Sequence, residues 1–162
     1  LPTPYVIENR NDIELFKDLV FKGKIYDALI KAIKWKDGRP KFKDYFFENL
    51  WYNSVGTKKK PRTKLNPLEE TFYKFFPSVF IILYNLKLNL GNREFCIGLQ
   101  SEEARLFHRI FVKYIGLNTP FFIVHDAIYV PESFSAEINR LIEDGSLQHF
   151  GQYINVKSEL CS

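Results

Sequence analysis

Methionine is absent from this sequence of 162 residues, cysteine occurs only twice, and no long hydrophobic run is present. Cys96 and Cys161 form no Cys-x-x-Cys pair and no Cys/His ligand spacing, which excludes the usual structural zinc sites and favours a reducing, cytoplasmic setting. The longest apolar run, residues 79–83, is too short to span a bilayer, so we expect a soluble protein with no membrane partner.

Because the chain has no methionine and begins at Leu1, we also expect a processed or excised piece of a longer protein.

Aromatic side chains are abundant, and they indicate a folded chain. Phe occurs 16 times and Tyr 9 times, and apolar residues make up 46% of the composition, a profile far from that of disordered proteins. The length suits one domain or part of one. The net charge of +4 and the pI near 9.0 suit a polyanionic partner, although lysine-rich solvated faces serve solubility equally well.

Helical periodicity dominates the chain, and turn residues divide it into segments. The predicted helices lie within residues 11–22, 25–33, 39–52, 68–76, 79–88, 99–115 and 133–143. Ser101 and Ser133 are the predicted N-caps of the last two helices, and Pro77 is predicted to stop the helix before it. Residues 89–98 are predicted as a turn-rich connection, and a further strand is expected around residues 153–156.

Residues 121–131 predict a β-hairpin. Two runs of β-branched and aromatic residues, 121–124 and 127–130, meet at the polar pair His125-Asp126. We expect the arms to be buried and the tip to reach solvent, so that rigid strands hold the Asp126 carboxylate. The alternative is plain turn chemistry, because an aspartate side chain can bond its own backbone in a tight turn.

Arg39, Lys43, Phe47 and Trp51 recur every four residues, which on a helix places two cations and two aromatic rings along one face. Such a face could hold phosphates at one end and a base at the other. The alternative is an amphipathic helix with core rings and solvated cations.

The segment that follows, residues 54–67, is polar and basic, has no hydrophobic period and carries a run of three lysines, Lys58, Lys59 and Lys60. We expect a mobile loop that contacts a nucleic-acid backbone or is simply solvated.

Four segments in order resemble the C-terminal part of the single-subunit nucleic-acid polymerases, the superfamily of the A-family DNA polymerases and the bacteriophage-type RNA polymerases. They are residues 23–27 (Gly-Lys-Ile-Tyr-Asp), the row from Arg39 to Trp51 (motif B, the fingers helix), residues 99–104 (the glutamine-bearing helix) and residues 124–126 (Val-His-Asp, motif C). Ala127 stands where the DNA polymerases usually carry Glu, which leans toward the RNA polymerases or a divergent phage branch. Trp51-Tyr52 replaces the Tyr-Gly that ends motif B.

The resemblance implies a template-directed nucleotidyltransferase that uses two Mg²⁺ (or Mn²⁺) ions, from phage or mobile-element replication or transcription. Asp126 would be a catalytic metal ligand, and His125 would steady the primer end. Lys43 would act in catalysis with Arg39 by holding the triphosphate, while Phe47 and Trp51 would bind the incoming base. The location implied is the cytoplasm of a bacterial host or phage-infected cell.

The resemblance also implies contacts to the primer-template, made by residues outside the proposed catalytic pair. Gln100 would contact the minor groove of the duplex. Arg93 and the three lysines at 58–60 are candidate nucleic-acid contacts because of their positive charge, independently of the resemblance. Residues 1–98 would form a fingers-like helical part. Residues 99–162 would form a palm-like part, so that the expected fold is α+β, mostly helical, with a small antiparallel sheet built on the His-Asp hairpin.

The family's first motif, an aspartate at the end of an apolar strand, has no counterpart here. Asp12 lies in that direction but precedes a helix, where capping explains it. We therefore expect the first motif to lie upstream of Leu1, so that a missing N-terminal part of the polymerase, in the same or another chain, is a partner beside primer-template and nucleoside triphosphates. This chain alone would then be inactive.

Two further function classes remain open at this point. The first is a non-catalytic nucleic-acid-binding module or degenerate polymerase remnant, which would bind primer-template without Mg²⁺ and without Asp126. The second is a phosphohydrolase with a His125-Asp126 metal dyad, but the remaining histidines, His108 and His149, form no ligand-like pair.

Overall fold

The computed structural model describes residues 11–112, 120–124, 127–154 and 156–159, and most of them are helical. The helices are α1 (Asn11–Phe21), α2 (Ile25–Ile33), α3 (Gly38–Phe46), α4 (Pro67–Phe75), α5 (Pro77–Leu90), α6 (Asn92–Val112) and α7 (Ser135–Phe150), and a π-helical turn (Phe47–Trp51) continues α3. Strands β1 (Phe122–Val124) and β2 (Ala127–Tyr129) form an antiparallel pair. The prediction of a mostly helical α+β fold with a small antiparallel sheet is confirmed.

The chain divides into two compact units, Leu1–Leu99 and Gln100–Ser162. Helix α6 contains the boundary. The fingers-like and palm-like identities given to residues 1–98 and 99–162 stay predictions.

Aromatic rings from α2, α3 and α4 form the core of the first unit. Phe42 and Phe72 are both 0% exposed. Phe42 meets Tyr26 edge to face at 6.2 Å, and Phe72 lies 6.4 Å from Phe46. Because each favourable ring pair adds roughly 0.5–1.5 kcal/mol beyond the burial of its surface, the large number of phenylalanines has a structural role here.

The helices of this unit begin and end near the predicted positions, and local sequence signals explain three of these boundaries. Gly23 follows α1 with φ +65°, a conformation that favours glycine. The Asn66 side chain accepts a hydrogen bond from the Glu69 N–H at 2.9 Å, and the Glu69 carboxylate accepts one from the Asn66 N–H at 2.8 Å, so a capping box starts α4. Pro77 ends α4 at Phe75 and starts α5, as expected from its missing N–H.

Helix α6 begins at Asn92, so the predicted connection at residues 89–98 is wrong, and Ser101 lies inside the helix instead of capping it. The sequence predicts a connection because this segment is rich in turn residues, and one of them, Gly98, weakens a helix by about 1 kcal/mol. Packing outweighs this cost, since the segment buries Phe95 to 4% exposure.

The second unit has a smaller core, centred on Leu106, Ile138 and Ile142. A 3-10 turn (Glu132–Phe134) precedes α7, so Ser133 lies in that turn and does not cap α7. Helix α7 continues to Phe150, beyond the predicted end at residue 143.

The segment after α7 contains no strand among its described residues, so the strand expected around residues 153–156 is not formed there. The Ser146 hydroxyl, 0% exposed, instead accepts a hydrogen bond from the Ile154 N–H at 3.0 Å and donates one to the Glu143 carbonyl at 2.7 Å. This serine therefore satisfies a backbone N–H that a strand partner would otherwise have taken.

Candidate nucleic-acid interface

The hairpin of the second unit has a fixed register. Phe122 pairs with Tyr129, Ile123 with Ile128, and Val124 with Ala127, and the rings of Phe122 and Tyr129 stack at 4.8 Å. The two residues between the last pair are His125 and Asp126, which lie outside the described residues. Their proposed roles in catalysis and metal binding stay predictions.

The arms of this hairpin differ in burial. Phe122, Ile123 and Val124 are 61%, 44% and 45% exposed, so the expectation that both arms are buried is wrong for β1. Ile128 of β2 packs against the core of the unit. β1 has three residues and pairs with one other strand, β2. A two-stranded sheet of this length does not cover both faces of a strand, which explains the exposure of β1.

Metal-ligating side chains do not cluster in the described part of the chain. Within it, no group of three or more His, Cys, Asp or Glu side chains is arranged to hold a metal ion. Asp126 falls outside this set, so Mg²⁺ remains part of the prediction attached to that residue.

Arg39, the first residue of the predicted row, joins α3 to the first turn of α2 and to Gly23, which precedes α2. Its Nε lies 3.3 Å from the Asp27 carboxylate, its Nη2 donates to the Gly23 carbonyl at 3.0 Å, and its guanidinium lies 5.6 Å from the centre of the Tyr26 ring. Burial raises the pKa of Tyr26, and the charge of Arg39 opposes this rise. The structure therefore brings together two segments that carried the resemblance, and Arg39 already has protein partners there.

The rest of the row does not continue along a straight α-helix. Lys43 is exposed on α3, and Phe47 is half-buried at the start of the π-helical turn. The Trp51 ring lies 5.7 Å from Phe46 and 6.3 Å from Phe95, so it packs on core rings of the unit. The proposed contact of Trp51 with a base stays untested.

Tyr52, which follows the π-helical turn, is the exposed aromatic residue of this segment at 53% exposure. Its N–H donates to the Phe47 carbonyl at 2.7 Å, the five-residue spacing of a π-turn, and its ring stacks on Phe47 at 5.8 Å with 29° between the planes. We did not single out this residue from the sequence as a binding residue, because a period of four directs attention to Trp51.

Side chains from outside the helix hold the carbonyl groups of the π-helical turn and its exit. Asn66 Nδ2 donates to the Asn49 carbonyl at 2.8 Å, and Asn92 Nδ2 donates to the Tyr52 carbonyl at 2.7 Å. Lys87 Nζ donates to two carbonyls, that of Leu50 at 2.5 Å and that of Asn53 at 3.2 Å. These bonds satisfy backbone acceptors that the regular α-helical pattern leaves open at a helix end.

Lys87 is a buried cation, with 3% of its surface exposed. Burial lowers its pKa from 10.5 to about 8, and nearby Glu69 opposes this shift. The ammonium group also lies 5.5 Å from the centre of the Phe95 ring, within cation-π range. The sequence offered one signal for Lys87, which is the single charged residue of α5.

The lysine run at 58–60, where the sequence predicts a mobile loop, lies on a turn closed by backbone hydrogen bonds. Gly56 and Pro61 form an antiparallel bridge, and Thr57 and Lys60 exchange backbone hydrogen bonds of 3.1 and 3.0 Å. We name residues 56–61 the lysine turn. Its three lysines, Lys58, Lys59 and Lys60, are exposed.

Glycine is required at position 56 of this turn. Its φ is +85°, and a Cβ atom there would lie 2.5 Å from the Lys60 carbonyl oxygen and 2.8 Å from the Arg62 nitrogen. Both are backbone atoms, which cannot move aside as a flexible side chain would. The conformation of the lysine turn therefore depends on this residue.

An ion pair between Arg62 and a buried carboxylate stabilises the base of the lysine turn. The Arg62 N–H donates to the Val55 carbonyl at 2.8 Å, and the Arg62 guanidinium pairs with the Glu69 carboxylate, which is 2% exposed. Asn53 Nδ2 donates to the same carboxylate at 3.4 Å. The lysine turn and the exit of the π-helical turn are thus attached to one polar cluster.

Charge divides unequally between the two units. Residues 1–99 contain 18 Lys and Arg against 11 Asp and Glu, a net charge of +7, whereas residues 100–162 contain 5 against 8, a net charge of −3. Arg93 and Gln100, the other predicted nucleic-acid contacts, are exposed on α6. The excess of positive charge lies in the first unit, which contains the stacked rings of Phe47 and Tyr52 and the lysine turn.

Comparisons with known proteins were negative. No protein-family model, no curated protein and no solved structure matches this chain. In the part of the chain that the structure describes, no helix combines the length and the apolar character needed to span a membrane.

Proposed function

We propose that this chain is part of a template-directed nucleotidyltransferase, with His125 and Asp126, which follow β1 in the sequence, as its catalytic pair. The observation that carries the proposal is the register of the hairpin, in which Val124 pairs with Ala127. A backbone ladder that extends to both sequence neighbours of the pair supports this proposal, because metal-assisted phosphoryl transfer depends on groups held in a defined geometry.

Each residue of the proposal has a distinct role. Asp126 would provide one carboxylate to Mg²⁺ or Mn²⁺, an ion that stabilises the charge which develops on transferring phosphoryl groups. His125 would hold the primer end, and exposed Lys43 would pair with the triphosphate. Arg39 contacts Asp27 and Gly23 within the protein. These contacts support a role for Arg39 in positioning α3, in addition to its proposed contact with the triphosphate.

The primary test is primer extension by a polypeptide that includes this chain together with an aspartate-bearing strand. We expect Mg²⁺- or Mn²⁺-dependent incorporation of nucleotides, and we expect Asp126→Asn to lower it by roughly 10²-fold or more, because a direct ligand matters at least as much as the groups that support ligands. Residues 1–162 alone should bind primer-template but extend no primer, since one aspartate does not fix two ions.

Asp144→Asn is the matched control, because Asp144 lies on α7 in the same unit and makes only a 3.8 Å ion pair with Arg140. It should leave extension unchanged. Normal extension by the Asp126→Asn polypeptide, or efficient extension by residues 1–162 alone, would contradict the assignment.

The charge distribution favours a second candidate, a nucleic-acid-binding module without catalysis. A unit with a net charge of +7 supports salt-sensitive binding to phosphates with no metal. This candidate predicts that binding to primer-template survives both chelation of Mg²⁺ and Asp126→Asn, and that no polypeptide containing this chain extends a primer.

A further inference from the structure

The segment from Phe47 to Lys60 presents two features that suit one ligand. The first is the stacked pair of Phe47 and Tyr52, in which Tyr52 is 53% exposed. The second is the lysine turn with its three exposed cations. Aromatic platforms combined with positive charge are typical of sites that bind single-stranded nucleic acid.

The π-helical turn determines which ring is available. Its five-residue hydrogen bond from Tyr52 to Phe47 places the Tyr52 ring on Phe47, while Trp51 packs against Phe95. Asn92 holds the Tyr52 carbonyl at 2.7 Å and so fixes the backbone of this residue. A platform with an ordered backbone loses less conformational entropy when a base binds.

The lysine turn is fixed relative to the same segment. Asn53, adjacent to Tyr52, donates to the Glu69 carboxylate, and Glu69 pairs with Arg62 at the base of the turn. Tyr52 and Lys58 are six positions apart in the sequence, so their Cα atoms lie at most about 22 Å apart. A short oligonucleotide can therefore reach both features.

We propose that this surface binds single-stranded nucleic acid, with an unpaired base stacked on Tyr52 and the backbone phosphates beside Lys58, Lys59 and Lys60. The inference deepens the proposed function and rests on it in one respect, because it identifies the unpaired template strand as the ligand. A duplex hides the faces of its bases in its own stack, so Tyr52 discriminates in favour of single strands, whereas the lysines bind either form.

The first test measures binding of residues 1–162 to a fluorescent 12-nucleotide homopolymer and to a duplex of equal length. We expect Tyr52→Ala to weaken single-strand binding by about 5- to 100-fold with little effect on the duplex, and Tyr52→Phe to restore it, since stacking needs the ring and not the hydroxyl. The matched control is Tyr153→Ala, which removes an equally exposed tyrosine (57%) from the second unit and should change nothing.

The second test measures the salt dependence of single-strand binding. Replacing all three lysines of the turn by alanine should lower the slope of log K against log salt by up to about 2, at roughly 0.7 for each phosphate that the variant no longer neutralises. The control replaces three other exposed lysines of the first unit, Lys31, Lys36 and Lys74, and should lower the slope less.

The proposal is overturned if Tyr52→Ala weakens binding no more than Tyr153→Ala does while circular dichroism shows both variants folded. Should Tyr52→Ala unfold the chain, Tyr52→Leu keeps an apolar side chain without the ring and must still weaken single-strand binding; full binding by that variant also overturns the proposal. Single-strand binding as described, without primer extension by any longer polypeptide, would refute the polymerase and leave this site standing. If the longer polypeptide extends primers normally and Tyr52→Ala leaves its affinity for the template unchanged, this site alone would be refuted.

Discussion

Lys87→Met tests whether one buried cation holds the exit of the π-helical turn. The substitution keeps much of the side-chain length but removes the ammonium group that donates to the carbonyls of Leu50 and Asn53. Each carbonyl left without a donor lowers the free energy of unfolding by roughly 1–3 kcal/mol. Removing the buried charge offsets part of this loss. We expect the variant to be less stable at pH 7 by about 2 kcal/mol.

The pH dependence isolates the contribution of the charge. Because burial lowers the pKa of Lys87 from 10.5 to about 8, the folded state releases this proton between pH 8 and 10.5 while the unfolded state still binds it. The stability of the wild type therefore rises with pH across this window relative to a variant that cannot titrate. From pH 7 to pH 10 the difference in unfolding free energy between wild type and Lys87→Met should grow by roughly 2 kcal/mol.

Urea denaturation at pH 7, 8, 9 and 10, followed by circular dichroism, measures this difference. Lys74→Met is the control, since Lys74 is exposed on α4, and its difference from the wild type should stay constant. The charged and titratable groups near Lys87, which are Glu69, Arg62 and Cys96, are the same in wild type and variant. A difference that stays constant or shrinks between pH 7 and pH 10 would refute the argument from burial.

Three further substitutions test the packing. Gly56→Ala should destabilise the chain by about 1–3 kcal/mol, because the new Cβ meets backbone atoms at a positive φ; an unchanged urea midpoint would show that the lysine turn is not constrained in this way. Phe42→Ala should cost about 3–5 kcal/mol, since the ring is 0% exposed, and a cost under about 1 kcal/mol in the same titration would place this ring outside the core. Phe122→Ala, at a ring that is 61% exposed, should cost less than about 1 kcal/mol.

Local signals predicted the helices of the first unit well. Gly23 separates α1 from α2, and Pro77 separates α4 from α5, because a glycine at positive φ and a missing N–H act on the chain independently of distant contacts. The start of α6 was missed because the burial of Phe95 overrides the weak helix propensity of Gly98, and burial is a tertiary property.

The candidate interface was only partly predictable. The spacing from Arg39 to Trp51 directed attention to the segment that contains the π-helical turn, but the turn itself depends on which carbonyls find donors elsewhere in the chain. Those donors, on Asn66, Lys87 and Asn92, come from three different elements or loops, and no local pattern relates them to residue 52. The order of the lysine turn likewise depends on a pairing between Arg62 and a buried carboxylate.

The π-helical turn at Phe47–Trp51 has a consequence for how this helix can change in evolution. A hydrogen bond that spans five residues encloses one residue more than an α-helical bond, so the turn is equivalent to a one-residue insertion in a regular helix. Deleting one residue between positions 47 and 51 would bring Tyr52 to the α-helical spacing of four residues from Phe47, so the backbone hydrogen bond between these two residues would no longer need a π-helical turn. A regular α-helix of the present length would instead place Trp51 four residues after Phe47, so at this chain length the pairing of Tyr52 with Phe47 depends on the π-helical turn.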